Sequence, residues 1–318
     1  MPEALRTRSF TVAEGRAAGL RGADLRRSRM DAPTRAVRRA SAPVTLRERA
    51  EAFALAMPGD AAFSHVTAAL LLRLPLPARL EEQEFLDVMR PTPMAQVRRR
   101  GCRGHRGLES RQVVELDGLR AVGLADTWVD LGEVAGRGLG VDDLVVVGDV
   151  VAARLGAEDN ADAWALRGRV PHCGRIALAR ALECRTRPRG KAVLSQALPL
   201  VRVGSRSPME TRSRLMFARA GFPEPELNGV VRDAFGGWLL EGDLVWHQQR
   251  VIGEYQGADH ASIKRRSADS SRASGAEAEG YRVLEIFSED VFHGARRRAC
   301  LTRFARAMQL DLGDLRIE

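Results

Sequence analysis

Two carboxylates and an amide lie among strand-forming residues in the stretch EGDLVWHQQRVIGEYQGADH, which begins at Glu241. Valine, isoleucine, tryptophan and tyrosine favour a pleated, half-buried surface, whereas carboxylates do not. A hairpin that turns at Gln248-Gln249 would place Asp243 directly opposite Glu254. Like charges directly opposite each other destabilise a strand pair, and a bound cation would cancel that repulsion. The stretch therefore predicts either a cation site or a face exposed to water.

The amide belongs to Gln256, which shares a face of the strand with Glu254 because side chains alternate with a period of two. Asp243, Glu254 and Gln256 are then expected to converge on one spot. The alternative for Gln256 is an ordinary surface amide.

The elements that would position these groups follow from local signals in residues 201–318. A helix is predicted from Ser207 as N-cap, with Pro208 at the first helical position and Gly221 as the stop. Glu210, three residues past the cap, has the spacing of a capping box with Ser207. Strands are predicted in NGVVRD, WLLEGDLVW, RVIGEYQG and YRVLEIF, with helices from about Ser262 to Glu279 and from Ser288 to about Met308. The predicted order is α-β-β-β-α-β-α.

The first 42 residues favour a winged helix-turn-helix. Thr11 and Glu14 have the spacing of a capping box, and a second short helix is expected from Gly22 to Ser28. A small helical hairpin that caps the next domain is the alternative. Residues 1–50 hold twelve arginines against five acids, so most of the excess positive charge lies near this end. The expected DNA-binding residues are Arg21, Arg26, Arg27, Arg35, Arg38 and Arg39; a solvated basic surface explains them equally well.

Residues 43–200 are predicted to form a middle α/β domain. Helices are expected in TLRERAEAFALAM and after Ser64, and strands in FLDVMRP and RQVVELDGLRAV. Further helices are predicted in LADTWVDLGEV and LGVDDLVVVGDVVAARL. Residues 185–206 are interpreted as a connection to the last domain. His65, directly after a helix cap, is interpreted as structural, and the role of His105 in the basic run RRRGCRGHR is left open.

Composition narrows the class of protein. The chain has 318 residues, 50 basic against 41 acidic side chains, and four cysteines without a CxxC pair. Neither a zinc knuckle nor a disulfide framework is indicated. No apolar run approaches the roughly 20 residues that a bilayer span needs. We therefore expect a cytoplasmic protein of the α/β (α+β) class.

The helix with Glu210, the hairpin with Asp243, the Glu254-Tyr255-Gln256 run and YRVLEIF together resemble the PD-(D/E)XK nuclease fold. The resemblance covers residues 207–318, about a third of the chain. Within this fold, the segment most resembles the nuclease-like family related to the very-short-patch repair endonuclease. Upstream, the capping-box helix pair and SHVTAA resemble the N-terminal region of AbiEi-type antitoxins. The resemblance implies an N-terminal winged helix, an AbiEi-like middle domain and a C-terminal restriction-endonuclease-like domain.

This resemblance also implies roles for particular residues. Asp243 and Glu254 would hold Mg²⁺ or Mn²⁺, with Glu210 contributing directly or through water. Gln256 stands where the family has a lysine, so it can hydrogen-bond but supplies no charge. His260 would act as a general base or contact the leaving group. Lys264, on the helix that follows, is a candidate to supply the positive charge that Gln256 lacks. Asp269 and Arg272 are expected to fix that helix or to contact phosphate.

The expected function is a divalent-metal-dependent DNA endonuclease, catalysing phosphodiester hydrolysis in DNA repair or phage defence. The alternative is a DNA-binding transcriptional regulator or antitoxin-like protein whose nuclease domain is degenerate and which has a partner toxin. The missing lysine motivates this alternative, together with the basic N-terminal region. The oligomeric state and the substrate structure are not predicted.

Overall fold

A computed structural model describes residues 2–26, 30–158, 173–257 and 275–317. Contacts between Cα atoms divide the chain into two compact units. The first comprises Met1–Val151 and Cys173–Pro199, and the second comprises Ala152–His172 and Leu200–Glu318. Mixed helices and sheets confirm the predicted α/β class. Within the described ranges, none of the helices has the length and apolar character that crossing a membrane requires.

The N-terminal part of the first unit contains two short helices and a two-stranded sheet. Strand β1 (Phe10–Thr11) pairs antiparallel with β2 (Val37–Arg38), and helices α1 (Val12–Ala17) and α2 (Gly22–Arg26) lie between them in sequence. The capping box of α1 is confirmed, because Thr11 Oγ1 accepts the amide of Glu14 at 3.1 Å. The predicted extension of α2 to Ser28 lies outside the described residues.

A five-stranded mixed sheet forms the centre of the first unit. Its strands have the spatial order β5-β4-β3-β7-β6. β3 pairs antiparallel with β4 and parallel with β7; β4 and β5 are parallel, whereas β6 and β7 form an antiparallel hairpin. The predicted strands in FLDVMRP and RQVVELDGLRAV are confirmed. The strand bounds are β3 (Ala62–Phe63), β4 (Leu86–Arg90), β5 (Cys102–Arg106), β6 (Val113–Leu116) and β7 (Leu119–Val122).

Helices of the first unit precede, interrupt and follow the strands of its sheet along the chain, and those predicted in residues 43–158 are confirmed. They are α3 (Leu46–Ala54), α4 (His65–Leu71), α5 (Ala78–Glu81), α6 (Leu124–Leu131), α7 (Val141–Glu158), α8 (Cys173–Glu183) and α9 (Lys191–Ala197). Helix α9 was not predicted; it lies within residues 185–206, which were interpreted as a connection. Leu194 and Ala197 are fully buried, so packing of this apolar segment favours the helix.

The second unit is built on a four-stranded sheet of order β11-β10-β9-β8. Neighbouring strands are antiparallel except β10 and β11, which are parallel. The four strands and the first helix confirm the predictions made from sequence, and residues 275–278 of the helix expected before β11 are helical. The bounds are α10 (Pro208–Ala220), β8 (Glu226–Arg232), β9 (Trp238–Trp246), β10 (Val251–Gln256), β11 (Arg282–Phe287), α11 (Ser288–Phe292) and α12 (Gly294–Met308).

The last helix is broken, so the prediction of one continuous helix from Ser288 to Met308 is wrong. His293 has an extended backbone (φ −108°, ψ 120°) and separates α11 from α12. Gly294 follows it, and glycine is a poor helix former. The guanidinium of Arg297 donates to the carbonyl of Val291 from Nε (3.2 Å) and Nη2 (2.5 Å), which satisfies an acceptor left open where α11 ends.

Both faces of the four-stranded sheet are covered by apolar residues. On one face, Phe217 of α10 and Phe304 of α12 pack with Trp246 of β9, with ring centroids 4.7–5.8 Å apart. On the other face, Val245 and Ile252 belong to a smaller cluster. Strands β9 and β10 are therefore held on both sides at the segment that carries the predicted carboxylates.

Candidate functional site

The β9–β10 hairpin has the register expected for a turn at Gln248-Gln249. Val251 pairs with Trp246, Ile252 with Val245 and Gly253 with Leu244. Regular pairing ends there. Asp243 and Glu254 are the next residues in this register, so they lie where the two strands stop hydrogen-bonding as a ladder.

Beyond this point the side chain of Asp243, and not its backbone, accepts a hydrogen bond from β10. Its Oδ2 accepts the backbone N–H of Tyr255 at 2.8 Å. Strand β10 meanwhile continues to pair with β11 as far as Gln256. A carboxylate is thus fixed by a backbone donor at the place where β9 and β10 separate.

The electrostatic environment of Asp243 is unfavourable for a negative charge. Burial raises the pKa of Asp243, and the negative charges of Glu210 and Glu241 raise it further. The hydrogen bond from Tyr255 and the positive charge of Arg206 act in the opposite direction. A cation bound beside Asp243 would offset these effects by favouring the ionised carboxylate.

Glu210 lies in the first turn of α10, with 7% of its surface exposed. Its amide donates to Ser207 Oγ at 3.1 Å, as expected for an N-cap. Its carboxylate, however, accepts from the amide of Arg206 and from Asn228 Nδ2, both at 2.8 Å, instead of closing the predicted box with Ser207. This buried acid is therefore held by a backbone amide beside the N-cap and by a side chain of β8. Asn228, which no sequence motif singled out, has a positive φ of 48° that marks it as unusual within β8.

Glu254 and Gln256 are half-buried on β10. Glu254 Oε1 would lie 3.3 Å from a Cβ added to Gly242, so the glycine leaves room for this carboxylate beside Asp243. In the parallel pair with β11, Glu254 is matched with Glu285, which adds another acid that sequence spacing did not reveal. The predicted site residues His260, Lys264, Asp269 and Arg272 lie outside the described residues.

These carboxylates suit a hard divalent cation, because oxygen atoms are the ligands that Mg²⁺ and Mn²⁺ take. Glu210 and Asp243 interact electrostatically, and Glu254 lies against the residue preceding Asp243. In the described ranges, one group of three His, Cys, Asp or Glu side chains has its ligand atoms within 4.8 Å of one another. That group lies in the first unit and not beside Asp243.

The arginines predicted to bind DNA divide into two sets. Arg21, Arg26 and Arg35 are exposed. Arg38 donates from Nε to the carbonyl of Leu25 at 2.7 Å. Arg39 is 9% exposed and bonded to Glu48. The exposed three are therefore better placed to contact phosphate than the last two, and Arg27 lies outside the described residues.

His65, His105 and Glu133, all in the first unit, form the group whose ligand atoms lie within 4.8 Å of one another. The two imidazole rings are stacked, with centroids 3.8 Å apart and an angle of 23° between their planes. His65 Nε2 lies 3.7 Å from Glu133 Oε2. The interaction with His65 holds the pKa of Glu133 below its usual range, and the charges of Arg189 and His105 lower it further although burial opposes them.

Local structure orients both rings. Ser64 occupies the N-cap position of α4, yet its hydroxyl bonds His65 Nδ1 at 2.9 Å and does not cap the helix backbone. His65 itself has a positive φ of 49°. His105 on β5 bonds Asp87 on the neighbouring β4 through Nε2 at 2.9 Å. The interpretation of His65 as a structural residue leaves this arrangement unexplained.

The group lines a cavity of about 1030 Å³ in the first unit. Eight arginines and four acidic residues line it, which gives the cavity a positive potential. Arg111 and Arg185 are held by buried Asp130 and by Asp126, at 2.7 and 2.6 Å. Sequence spacing could not identify this cavity, because its residues come from α4, α5, α6, β4, β5 and several connecting segments, including the one after α8.

Comparison of the chain with protein-family models, with curated proteins and with solved structures found no match. Function is therefore inferred from the two groups of side chains just described, the carboxylates around Asp243 and the histidines around His65.

Proposed function

We propose that the protein is a divalent-metal-dependent endonuclease that hydrolyses phosphodiester bonds of DNA. The observation that carries this proposal is the placement of Asp243. Its carboxylate lies where β9 and β10 separate, is fixed by the amide of Tyr255, and has the buried Glu210 as a charged neighbour. Two acidic side chains that interact in a partly buried setting favour a site that attracts a cation.

Each side chain has a definite task in this proposal. Asp243 and Glu254 would hold Mg²⁺ or Mn²⁺, and Glu210 would add negative charge to the same site. The bound ion supplies positive charge that stabilises the phosphate as it is attacked. Gln256, half-buried at the end of β10, would orient water or a phosphate oxygen by hydrogen bonding. It supplies no charge, so more of the charge stabilisation falls to the ion than in a site that has a lysine.

Binding of DNA as the substrate is supported by charge. The net charge of +9 and the exposed Arg21, Arg26 and Arg35 favour contact with a polyanion. We propose that the N-terminal region, as a winged helix, increases the affinity for DNA, and that cleavage serves DNA repair or phage defence.

The first test is calorimetric titration of Mg²⁺ and Mn²⁺ into the purified full chain. An Asp243→Ala, Glu254→Ala double variant serves as the comparison. Binding that the double variant abolishes would support the carboxylate site, and cleavage of a panel of duplex, mismatched, branched and single-stranded DNA would follow. Absence of binding, even with DNA present, would overturn the proposal.

A second candidate function is a DNA-binding regulator or antitoxin-like protein with a degenerate nuclease unit. The neutral Gln256 favours it, as does the absence, within the described residues, of a tight three-carboxylate group. Such a protein should bind an operator without Mg²⁺. Replacing Arg26 and Arg35 should then reduce the slope of log affinity against log salt concentration by about one for each phosphate that the variant no longer neutralises. Specific binding that requires Mg²⁺ would count against this function.

The raised pKa of Asp243 predicts an effect on stability that metal binding reverses. A carboxyl group whose pKa is higher in the folded than in the unfolded protein costs stability as pH rises from the unfolded value toward the folded value. In a chelating buffer near neutral pH, Asp243→Asn should therefore increase the free energy of unfolding, because an amide still accepts the hydrogen bond from Tyr255.

Added Mg²⁺ should stabilise the wild-type protein and leave the Asp243→Asn variant unchanged. Urea unfolding at several pH values, with and without Mg²⁺, measures both effects. A variant that is less stable than the wild type in chelator would show that Asp243 is a structural acid.

A further inference from the structure

We propose that His65, His105 and Glu133 bind a transition-metal dication of the Zn²⁺ class in the first unit. This site is independent of the proposed carboxylate site of the second unit. The three ligand atoms lie within 4.8 Å of one another, and His65 is 2% exposed. Imidazole and carboxylate ligands in a set of three are typical of zinc sites that keep a further position open.

The hydrogen bonds of the two histidines leave one nitrogen of each ring available. When His65 Nδ1–H donates to Ser64 Oγ, the lone pair of the ring lies on Nε2. When His105 Nε2–H donates to Asp87 Oδ1, its lone pair lies on Nδ1. Metal-binding histidines commonly donate their other N–H to a carboxylate or another oxygen in this way. Asp87 is itself 1% exposed and is held through its amide by Thr67, so it can act as a fixed positioning residue.

His65 Nε2 provides a second observation that points to a ligand. It is buried, and among the described residues it has no hydrogen-bond partner. Buried polar nitrogens without partners are costly in native proteins and call for an explanation. The nearest acceptor is Glu133 Oε2 at 3.7 Å, which is too far for a good hydrogen bond. Two ligand atoms of a tetrahedral zinc ion lie about 3.4 Å apart, given Zn–N and Zn–O distances near 2.1 Å. The observed separation is therefore close to that of a ligand pair.

A protonated His65 paired with Glu133 is the competing explanation. It would place an imidazolium against the second imidazole, 3.8 Å away, in a cavity that arginines already make positive. The Zn²⁺ titration distinguishes the two explanations, because an ion pair alone provides no metal site.

The positive cavity also affects the metal. Arg189 Nη1 lies 3.5 Å from Glu133 Oε2, so this arginine competes with a cation for the carboxylate. The arginine side chain is 78% exposed and can move away when an ion binds. The arginine-lined cavity then favours an anionic group at the remaining position of the metal.

The experiment is calorimetric titration of Zn²⁺ into the chelator-treated full chain, with thermal unfolding as a second readout. We expect one equivalent to bind to the wild-type protein and to raise its melting temperature. His65→Asn, His105→Asn and Glu133→Gln should each abolish the tight binding; asparagine is chosen at position 65 because it tolerates the positive φ. Asp87→Asn should weaken binding about 10- to 100-fold.

Three further variants, none of which removes a proposed ligand, keep the test decisive if a ligand variant folds poorly. Arg189→Gln should tighten Zn²⁺ binding by roughly two- to fivefold, because it removes the competing charge. Arg187→Gln, which alters the same cavity two residues away, should change affinity less. His247→Ala removes an exposed histidine that pairs with Glu226 at 2.9 Å, and it should leave binding unchanged.

The proposal is overturned if the wild-type protein binds no Zn²⁺. It is equally overturned if the His65, His105 and Glu133 variants bind as the wild type does. The Asp243→Ala, Glu254→Ala variant should bind Zn²⁺ normally, so failure of this site and failure of the proposed nuclease site give different results.

Discussion

Asp243→Asn is expected to lower the rate of Mg²⁺-dependent DNA cleavage roughly a thousandfold, equivalent to about 4 kcal/mol of transition-state stabilisation. The variant keeps the shape of the side chain and the acceptor for the Tyr255 amide. It removes the negative charge that would hold the cation next to Glu210 and Glu254. Single-turnover cleavage of a labelled DNA substrate at saturating protein measures the effect directly.

Glu226→Gln is the matched control for this prediction. Glu226 is an exposed acid on β8 of the same sheet, and it pairs with His247 at 2.9 Å. Its replacement removes the same charge from the unit without touching the Asp243 carboxylate, so cleavage should continue at the wild-type rate. Equal losses in the two variants would mean that the overall charge of the unit matters and that Asp243 has no special role.

Gly190→Ala is expected to destabilise the first unit by about 2–5 kcal/mol. Gly190 is the N-cap of α9 and has a φ of 74°. A Cβ at this position would lie 1.9 Å from the carbonyl oxygen of Gly132 and 2.5 Å from its carbonyl carbon, which are backbone atoms that cannot move independently. The cost therefore combines a left-handed alanine with a steric clash. Urea unfolding of the full chain, followed by circular dichroism, measures the loss.

Gly118→Ala separates the two contributions. Gly118, in the β6–β7 turn, has a φ of 82°, and a Cβ there would meet nothing within 4 Å. We expect a cost of about 1–2 kcal/mol, from the backbone conformation alone. Similar losses at both positions would show that the chain near Gly132 moves to accept a methyl group. Because Gly132 precedes Glu133, Gly190→Ala should also weaken Zn²⁺ binding to the proposed histidine site.

The register of the β9–β10 hairpin could be predicted because it depends on local chemistry. Polar Gln248-Gln249 lies between two runs of strand-forming residues, and the side-chain period of a strand fixes which residues are opposite. Helix α10 could be predicted equally well, because Ser207, Pro208 and Gly221 are local signals for where a helix begins and ends. The raised pKa of Asp243 could not be predicted, because it depends on burial and on the charges of Glu210 and Arg206, which lie elsewhere in the sequence.

Errors in prediction arose where packing or a single backbone contact decides the structure. Helix α9 forms in a segment whose Arg, Pro, Gly and Ser content suggested a connection, because Leu194 and Ala197 become buried. The break at His293 interrupts a segment with a helical pattern, and the carbonyl of Val291 finds its donor in the Arg297 side chain. Neither burial against distant residues nor a hydrogen bond from a side chain to a backbone carbonyl leaves a periodic pattern in the sequence.

By itself, the sequence determined the α/β class, most helices and strands, and the position of Asp243 beside Glu254 in a hairpin, because these depend on propensities and spacings within about twenty residues. Only the tertiary structure brought together His65, His105 and Glu133. β3, which precedes His65, lies beside β4, and β4 lies beside β5, which carries His105. The pairing of β3 with the distant β7 adds Glu133, which follows β7 and α6 along the chain. Neither histidine carries a metal-binding spacing, so strand pairing and not local spacing brings the three side chains together.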